Sequence, residues 1–208
     1  MPVSVLGLIV AAVFALGLTA CGGSSGDASS SALSGGNASV ATGAGASALA
    51  ADAKSAATGD IPDNQNFLTY RSTSPGLSMV YPEGWTVKHA KDGVSFKDKN
   101  NLVRIAVVSG PTPTPAAAQA QLATLKRLDP TLTAGTAQAI TLKSGPAVKI
   151  TYTTLSAPNP VTGKSVTLMV DRYELTHNGQ VATIDLGTPT GVDNVDAYKK
   201  MIASYAWG

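Results

Sequence analysis

The stretch from Leu77 to Phe96 constrains the fold of this chain more than any other. Apolar residues alternate through Leu77-Ser78-Met79-Val80-Tyr81 and again from Trp85 to His89, with Pro82-Glu83-Gly84 between the two runs. A second turn signal, Lys91-Asp92-Gly93, precedes Val94-Ser95-Phe96. Period-two alternation broken by Pro-x-Gly and Asp-Gly predicts a three-stranded antiparallel meander that seeds a sheet.

The other elements follow from the same reasoning. Asn66 to Arg71 predicts a first strand, turned by Ser72-Thr73-Ser74-Pro75-Gly76, and Leu102 to Val108 a further strand after the Lys97–Asn101 turn. Thr114-Pro115 reads as an N-cap followed by proline in the first helical position, where its missing N–H is an orphan in any case. Ala118, Leu122, Leu125 and Leu128 recur at helical spacing until Asp129-Pro130 ends the helix. Strands are expected at Thr136–Leu142, Ala147–Leu155 and Ser165–Thr176, and His177-Asn178-Gly179-Gln180 predicts an Asn-Gly hairpin into Val181–Leu186. Asp193 is placed to cap a last helix with Val195, Tyr198, Ile202 and Tyr205 along one face. Runs of strands with few helices predict an α+β domain, a mostly antiparallel sheet flanked by helices, over residues 61–208. Its length of 148 residues suffices for one hydrophobic core.

Several of these segments together carry a resemblance. Gly76-Leu77-Ser78-Met79-Val80-Tyr81-Pro82-Glu83-Gly84-Trp85, Asp171-Arg172-Tyr173 with its Asn178-Gly179 hairpin, the Pro189 loop and the closing Ile202-Ala203-Ser204-Tyr205-Ala206-Trp207 look like the PsbP-like (Mog/PsbP) superfamily, and like bacterial lipoproteins of the LpqN type. The likeness spans residues 66–207. It implies an α/β/α sandwich, and membership of a superfamily of accessory, adaptor and binding proteins without a shared catalytic site.

Residues 1–20 carry no charged side chain and are apolar from Val5 onward, long enough to engage the secretion machinery or to be read as a membrane span. Leu18-Thr19-Ala20-Cys21 resembles the lipobox of bacterial lipoproteins, and Cys21 is the only cysteine. That resemblance implies a signal peptide over residues 1–20, diacylglyceryl modification of the Cys21 thiol, and a mature protein anchored on the extracytoplasmic face of the cell membrane. Each acyl chain contributes about 0.8 kcal/mol per buried CH₂, and two chains hold a protein far longer than one. With Cys21 lipidated, no thiol is left for a disulfide, a cysteine-ligated metal or a cysteine nucleophile.

Residues 21–60 form the lipidated cysteine and a linker. Gly22 to Asp60 is built almost wholly from Gly, Ser, Ala and Thr, with Asp27, Asp52, Lys54 and Asp60 as its charged residues. Such a segment buries too little apolar surface to offset the entropy of ordering it, and predicts a flexible tether with at most transient helix over Ala48–Ala57. As a coil it spans roughly 35 Å root-mean-square, at about 5–6 Å times the square root of its length.

Chemistry-bearing patterns are few. Gly163-Lys164-Ser165 imitates the end of a phosphate-binding loop, but the glycine that must open the loop is replaced by Pro158. No Gly-x-Ser-x-Gly elbow is present, and His89 and His177 each lie beside a turn. The densest polar cluster is Asp171-Arg172-Tyr173-Glu174 with His177; on a strand Asp171, Tyr173 and His177 share one face, while Arg172 and Glu174 share the other. Asp171 and His177 are then about 20 Å apart at 3.3 Å per residue, too far to ligate one metal, and cross-strand ion pairing is the expected role of the charges. Trp85 and Trp207 are candidates to line a pocket, although Trp85, just after a turn, reads as core. Residues 61–208 hold 14 Lys/Arg and 10 Asp/Glu without a basic run longer than two, which is no nucleic-acid footprint.

The reading is therefore a lipid-anchored envelope protein whose domain serves as a non-enzymatic binding or accessory module for an envelope protein or a small ligand. Cys21, for lipidation, is its one assigned site residue, with no catalytic residue, metal or cofactor assigned. A small-ligand carrier would need an apolar pocket of about 300 Å³ or more between helix and sheet. A hydrolase or metal-dependent enzyme would need His89 or His177 held by a carboxylate.

Overall fold

The computed structural model describes residues 59–159 and 161–208. The expected signal peptide, Cys21, the expected linker up to residue 58 and the transient helix expected at Ala48–Ala57 lie outside the described residues. The described chain runs β1 (Phe67–Thr73), β2 (Gly76–Pro82), β3 (Thr86–Ala90), β4 (Gly93–Asp98), β5 (Asn101–Ser109), α1 (Pro115–Leu128), β6 (Thr133–Ala134), β7 (Gln138–Leu142), β8 (Gly145–Leu155), β9 (Thr167–His177), β10 (Gln180–Pro189), α2 (Val195–Ser204) and β11 (Ala206–Trp207). It is the expected α+β arrangement, and among the described residues no helix is long and apolar enough to cross a membrane.

Two sheets form, and all their pairings are antiparallel. The large sheet has the order β3-β4-β5-β10-β9-β8-β6, with β7 also paired to β8, and the small one has the order β1-β2-β11. The expected meander is thereby corrected, because β2 pairs with β1 and β11 while β3 pairs with β4 in the other sheet. Pro82 offers no N–H, the Glu83 N–H is taken by Asn66 O at 2.8 Å, and Gly84 turns at φ +89°. The Pro-Glu-Gly turn is thus a crossing between sheets, with buried Trp85 leading the chain into the second. The Asp-Gly turn behaves as expected: a Cβ at Gly93 would lie 1.9 Å from Ile105 O, so only glycine fits. Asn178 and Gly179 take φ +50° and +74°, the pair of left-handed residues that an Asn-Gly hairpin requires.

Alternation divides the large sheet into two buried faces. Val94, Phe96, Val103, Ile105, Ala182, Ile184, Leu186, Tyr173 and Leu175 point into one core, completed by Leu77 and Met79 of the small sheet and by Tyr198, Met201 and Ile202 of α2. On the opposite face Val148, Ile150, Tyr152, Leu168 and Val170 meet Ala118 and Leu122 of α1. Thr114 caps α1 as expected, its Oγ1 accepting from Ala117 N, and Asp129 closes it. Asp129 then accepts from Thr154 at 2.6 Å, tying the helix end to β8.

Each helix departs from expectation at one end. Leu128 is 77% exposed because at about 100° per residue it lies some 80° around α1 from Ala118, off the sheet. Val195 is likewise exposed, and Met201 takes its place in the buried face of α2. Asp193 accepts from Val195 N at 3.2 Å, one residue before the helix boundary.

Asn194, at that boundary, turns inward. Its Oδ1 accepts from Ile61 N at 2.8 Å, and its Nδ2 donates to Gly59 O, Asn101 Oδ1 and Thr188 Oγ1 at 3.2, 3.0 and 2.8 Å. Asn101 donates to Gly59 O, and Thr188 donates to Asn101 at 3.3 Å. This buried knot satisfies Gly59 O and Ile61 N and clamps the first described segment against β5, β10 and α2.

Candidate functional site

The register of the large sheet builds the site. On the face that α1 partly covers, one row across β5, β10, β9 and β8 is Arg104, Asp185, Arg172 and Ile150. The next row is Leu102, Gly187, Val170 and Tyr152. Gly187 leaves the middle of that row without a side chain. A Cβ there would meet Leu102 O, Val170 Cγ2 and Leu168 Cδ1 at 3.4, 3.5 and 3.8 Å, so the floor has room for a methyl, and a longer side chain would fill the space above it. The result is a hollow of about 240 Å³, with Lys97 and Arg104 at one end and Leu155, Leu168 and Val170 among its apolar walls.

Asp185 organises the charges. One carboxylate oxygen accepts from Arg172 Nε at 2.7 Å and from Tyr152 OH at 3.4 Å; the other accepts from Arg172 and Arg104 at 3.0 and 2.7 Å. Burial by itself raises the Asp185 pKa, but attraction and hydrogen bonds from Arg172 and then Arg104 outweigh it and hold the carboxyl below the usual range. Burial opposes the charge of Arg172 in the same way, and Asp185 reverses the effect, so its guanidinium stays charged. The Tyr152 hydroxyl is pushed up to about 12 by burial first and Asp185 second, so it remains protonated. Burial also raises the Glu174 pKa, with Arg172 opposing the shift. Arg104 differs from Arg172: its side chain is 50% exposed, and among the described residues only one of its N–H groups is engaged.

The residues singled out from the sequence divide as strand alternation requires. Asp171 pairs with Lys149 at 2.8 Å and Thr151 at 2.6 Å on one face, while Arg172 and Glu174 are buried on the other. Cross-strand pairing is therefore the role that Asp171 and Arg172 play, with Lys149 and Asp185 as their partners. His177 is exposed and stacks on Trp207, ring centroids 5.5 Å apart and planes at 22°. His89 is exposed with Nδ1 3.3 Å from Tyr70 OH. Among the described residues neither histidine is ion-paired to a carboxylate, and no group of three His, Cys, Asp or Glu is gathered for a metal. Trp85 is core, and Lys164 and Ser165 are exposed in the β8–β9 connection. Cys21 lies outside the described residues. Asp185, Arg104, Tyr152 and Gly187 were not singled out, because their meeting depends on the register of four strands.

The hollow, at about 240 Å³, is neither where a carrier was expected to keep one nor as large as the roughly 300 Å³ expected of it. Between α1 and the sheet Ala118, Leu122, Val148 and Ile150 form packed core, and the hollow lies on the part of that face which α1 leaves open. A second hollow, of about 270 Å³, lies beside Asp60, Glu83, Trp85 and Asp98.

An antiparallel sheet carrying α1 on one face, with a small sheet and α2 on the other, is the α+β architecture of the PsbP-like domains. The solution structure of cyanobacterial PsbP from Synechocystis sp. PCC 6803 matches with a TM-score of 0.53 and 16% identity, over 72% of this chain and 98% of that one. A likeness at this identity is one of fold. A crystal structure from Bacteroides thetaiotaomicron matches with a TM-score of 0.42 and 14% identity over 67% of this chain and 48% of that one. The Ran-binding protein Mog1p of Saccharomyces cerevisiae gives 0.44 and 11% over 68% and 95%. No protein-family model and no curated protein matches the sequence.

Proposed function

We propose that this chain is a lipid-anchored protein of the bacterial envelope whose PsbP-like domain is a non-enzymatic binding module, held near the membrane by Cys21 and the linker. The observation that carries the reading is the state of Asp185. Two guanidinium groups and a tyrosine hydroxyl occupy both of its oxygens, so it acts as a structural counter-ion rather than as a proton acceptor. Beside it the Gly187 hollow is concave and open, with an apolar floor and cationic donors at one end, a surface suited to recognition. Tethering raises the effective concentration of the domain for partners on the same membrane.

Crosslinking and affinity capture from intact cells tests this reading. The chain is compared with its domain carried on an unrelated lipoprotein anchor, and with the linker alone on the native anchor. The reading expects one envelope component enriched with both domain-bearing forms and absent from the linker control. Equal recovery with the linker alone contradicts it.

A further inference from the structure

The Gly187 hollow has two unlike ends. At one end Arg104 presents five N–H donors, of which Asp185 engages one, and the ammonium of exposed Lys97 has no ion pair among the described residues. Lys97 and Arg104 lie in adjacent rows of the sheet, since Lys97 pairs with Leu102 and Arg104 with Asp185. Lys97, Arg104 and Asp185 line the hollow, and Arg172, which pairs with Asp185 beneath it, together with Glu174, the carboxylate on the same face of β9, leaves one positive charge in excess over these five groups. The floor is Leu102, Leu168 and Val170 around the missing side chain of Gly187, and the other end is Leu155 flanked by Thr154 and Ser156. A volume of about 240 Å³ equals roughly eight waters at about 30 Å³ each, and so a ligand of about eight non-hydrogen atoms.

We propose that this hollow binds a small carboxylate with a short aliphatic body, its carboxylate received by Arg104 and Lys97 and its body lying over Gly187 against Leu102, Leu168 and Val170. The assignment rests on the reading of the domain as a binding module and names the ligand chemistry of that module. The unused N–H groups of Arg104 suit a planar two-oxygen anion. The floor rewards an apolar body, which inorganic phosphate lacks, and the cationic end rewards a charge, which an alcohol lacks.

The test is a titration of the ¹⁵N-labelled Cys21→Ala chain, which has no thiol to acylate, followed by the amide shifts of Lys97, Leu102, Arg104 and Gly187. Hexanoate, hexan-1-ol and inorganic phosphate are the probes. Hexanoate is expected to give saturable shifts at these four amides, with hexan-1-ol and phosphate each binding at least about tenfold more weakly, the scale of a charge-assisted hydrogen bond or of a few buried methylenes. Arg104→Gln, at a half-exposed position, is expected to weaken hexanoate at least about fivefold, and Gly187→Leu to abolish the shifts by filling the floor. The Arg104→Gln arm decides the matter if Gly187→Leu loses its dispersed spectrum. No saturation with hexanoate, equal binding of hexan-1-ol or phosphate, or indifference to Arg104→Gln overturns the assignment. None of these outcomes bears on the membrane capture, which tests the module reading on its own.

Discussion

Asp185 and Arg172 are both buried, and each is tolerable there because of the other. Removing one charge strands its partner, so Asp185→Asn is expected to lower the unfolding free energy by about 3–5 kcal/mol in urea titrations. The double replacement Arg172→Met with Asp185→Leu is expected to recover most of that loss, since a packed apolar pair does not need the ion pair's compensation. The two acidic residues of this face respond to pH in opposite directions. Asp185 has a depressed folded pKa, so its stabilisation is complete above the unfolded carboxylate range and is lost as pH falls through the folded value. Glu174 has a folded pKa raised by burial above the ordinary 4.5, so its ionised form detracts from stability at neutral pH, and that loss is relieved as pH falls through the raised value. Glu174→Gln is accordingly expected to be more stable than the parent at pH 8, with the difference shrinking toward pH 5. Urea midpoints at the two pH values check this, and a variant less stable at pH 8 contradicts it. From the sequence alone Asp171 and Arg172 were visible as a pair on opposite faces, whereas Asp185 was not, because its partners lie 81 and 13 residues away and only strand register joins them.

Elements read from a repeating pattern were legible, and their partners were less so. The Thr114-Pro115 start and Asp129 stop of α1, and the Asn178-Gly179 hairpin, are local signals and stand where the residues place them. The crossing at Pro82–Trp85 is different: alternation marks a strand and its faces but carries no record of which strand it pairs with, so β2 and β3 looked like neighbours and belong to different sheets. The knot around Asn194 was invisible for a related reason, since Asn194, Asn101 and Gly59 meet only after β5, β10 and α2 have assembled. Asn194→Ala leaves the Ile61 N–H without a partner in a buried setting and is expected to destabilise the domain by about 1–3 kcal/mol. Hydrogen exchange localises that effect, with the Ile61 amide losing protection well before the amides of β9 and β10. Retained protection at Ile61 contradicts the clamp.

At the scale of the whole molecule, the composition shift near Ile61 marks where a packed domain begins, and the knot holds residues 59–61 against it. The proposed linker therefore meets a fixed point on the domain rather than a fraying strand. Everything in the proposed arrangement upstream of that point depends on Cys21, the single thiol of the chain. The measurement that tests it most directly is detergent phase partitioning of the protein from its native cells, comparing the parent chain with Cys21→Ala and taking the intact mass of the parent. The account predicts a parent in the detergent phase whose mass corresponds to a chain beginning at an acylated Cys21, and a Cys21→Ala variant shifted out of that phase. Equal partitioning of the two, or a parent mass without an acyl group on Cys21, would contradict the lipid anchor and with it the proposed place of this domain at the membrane.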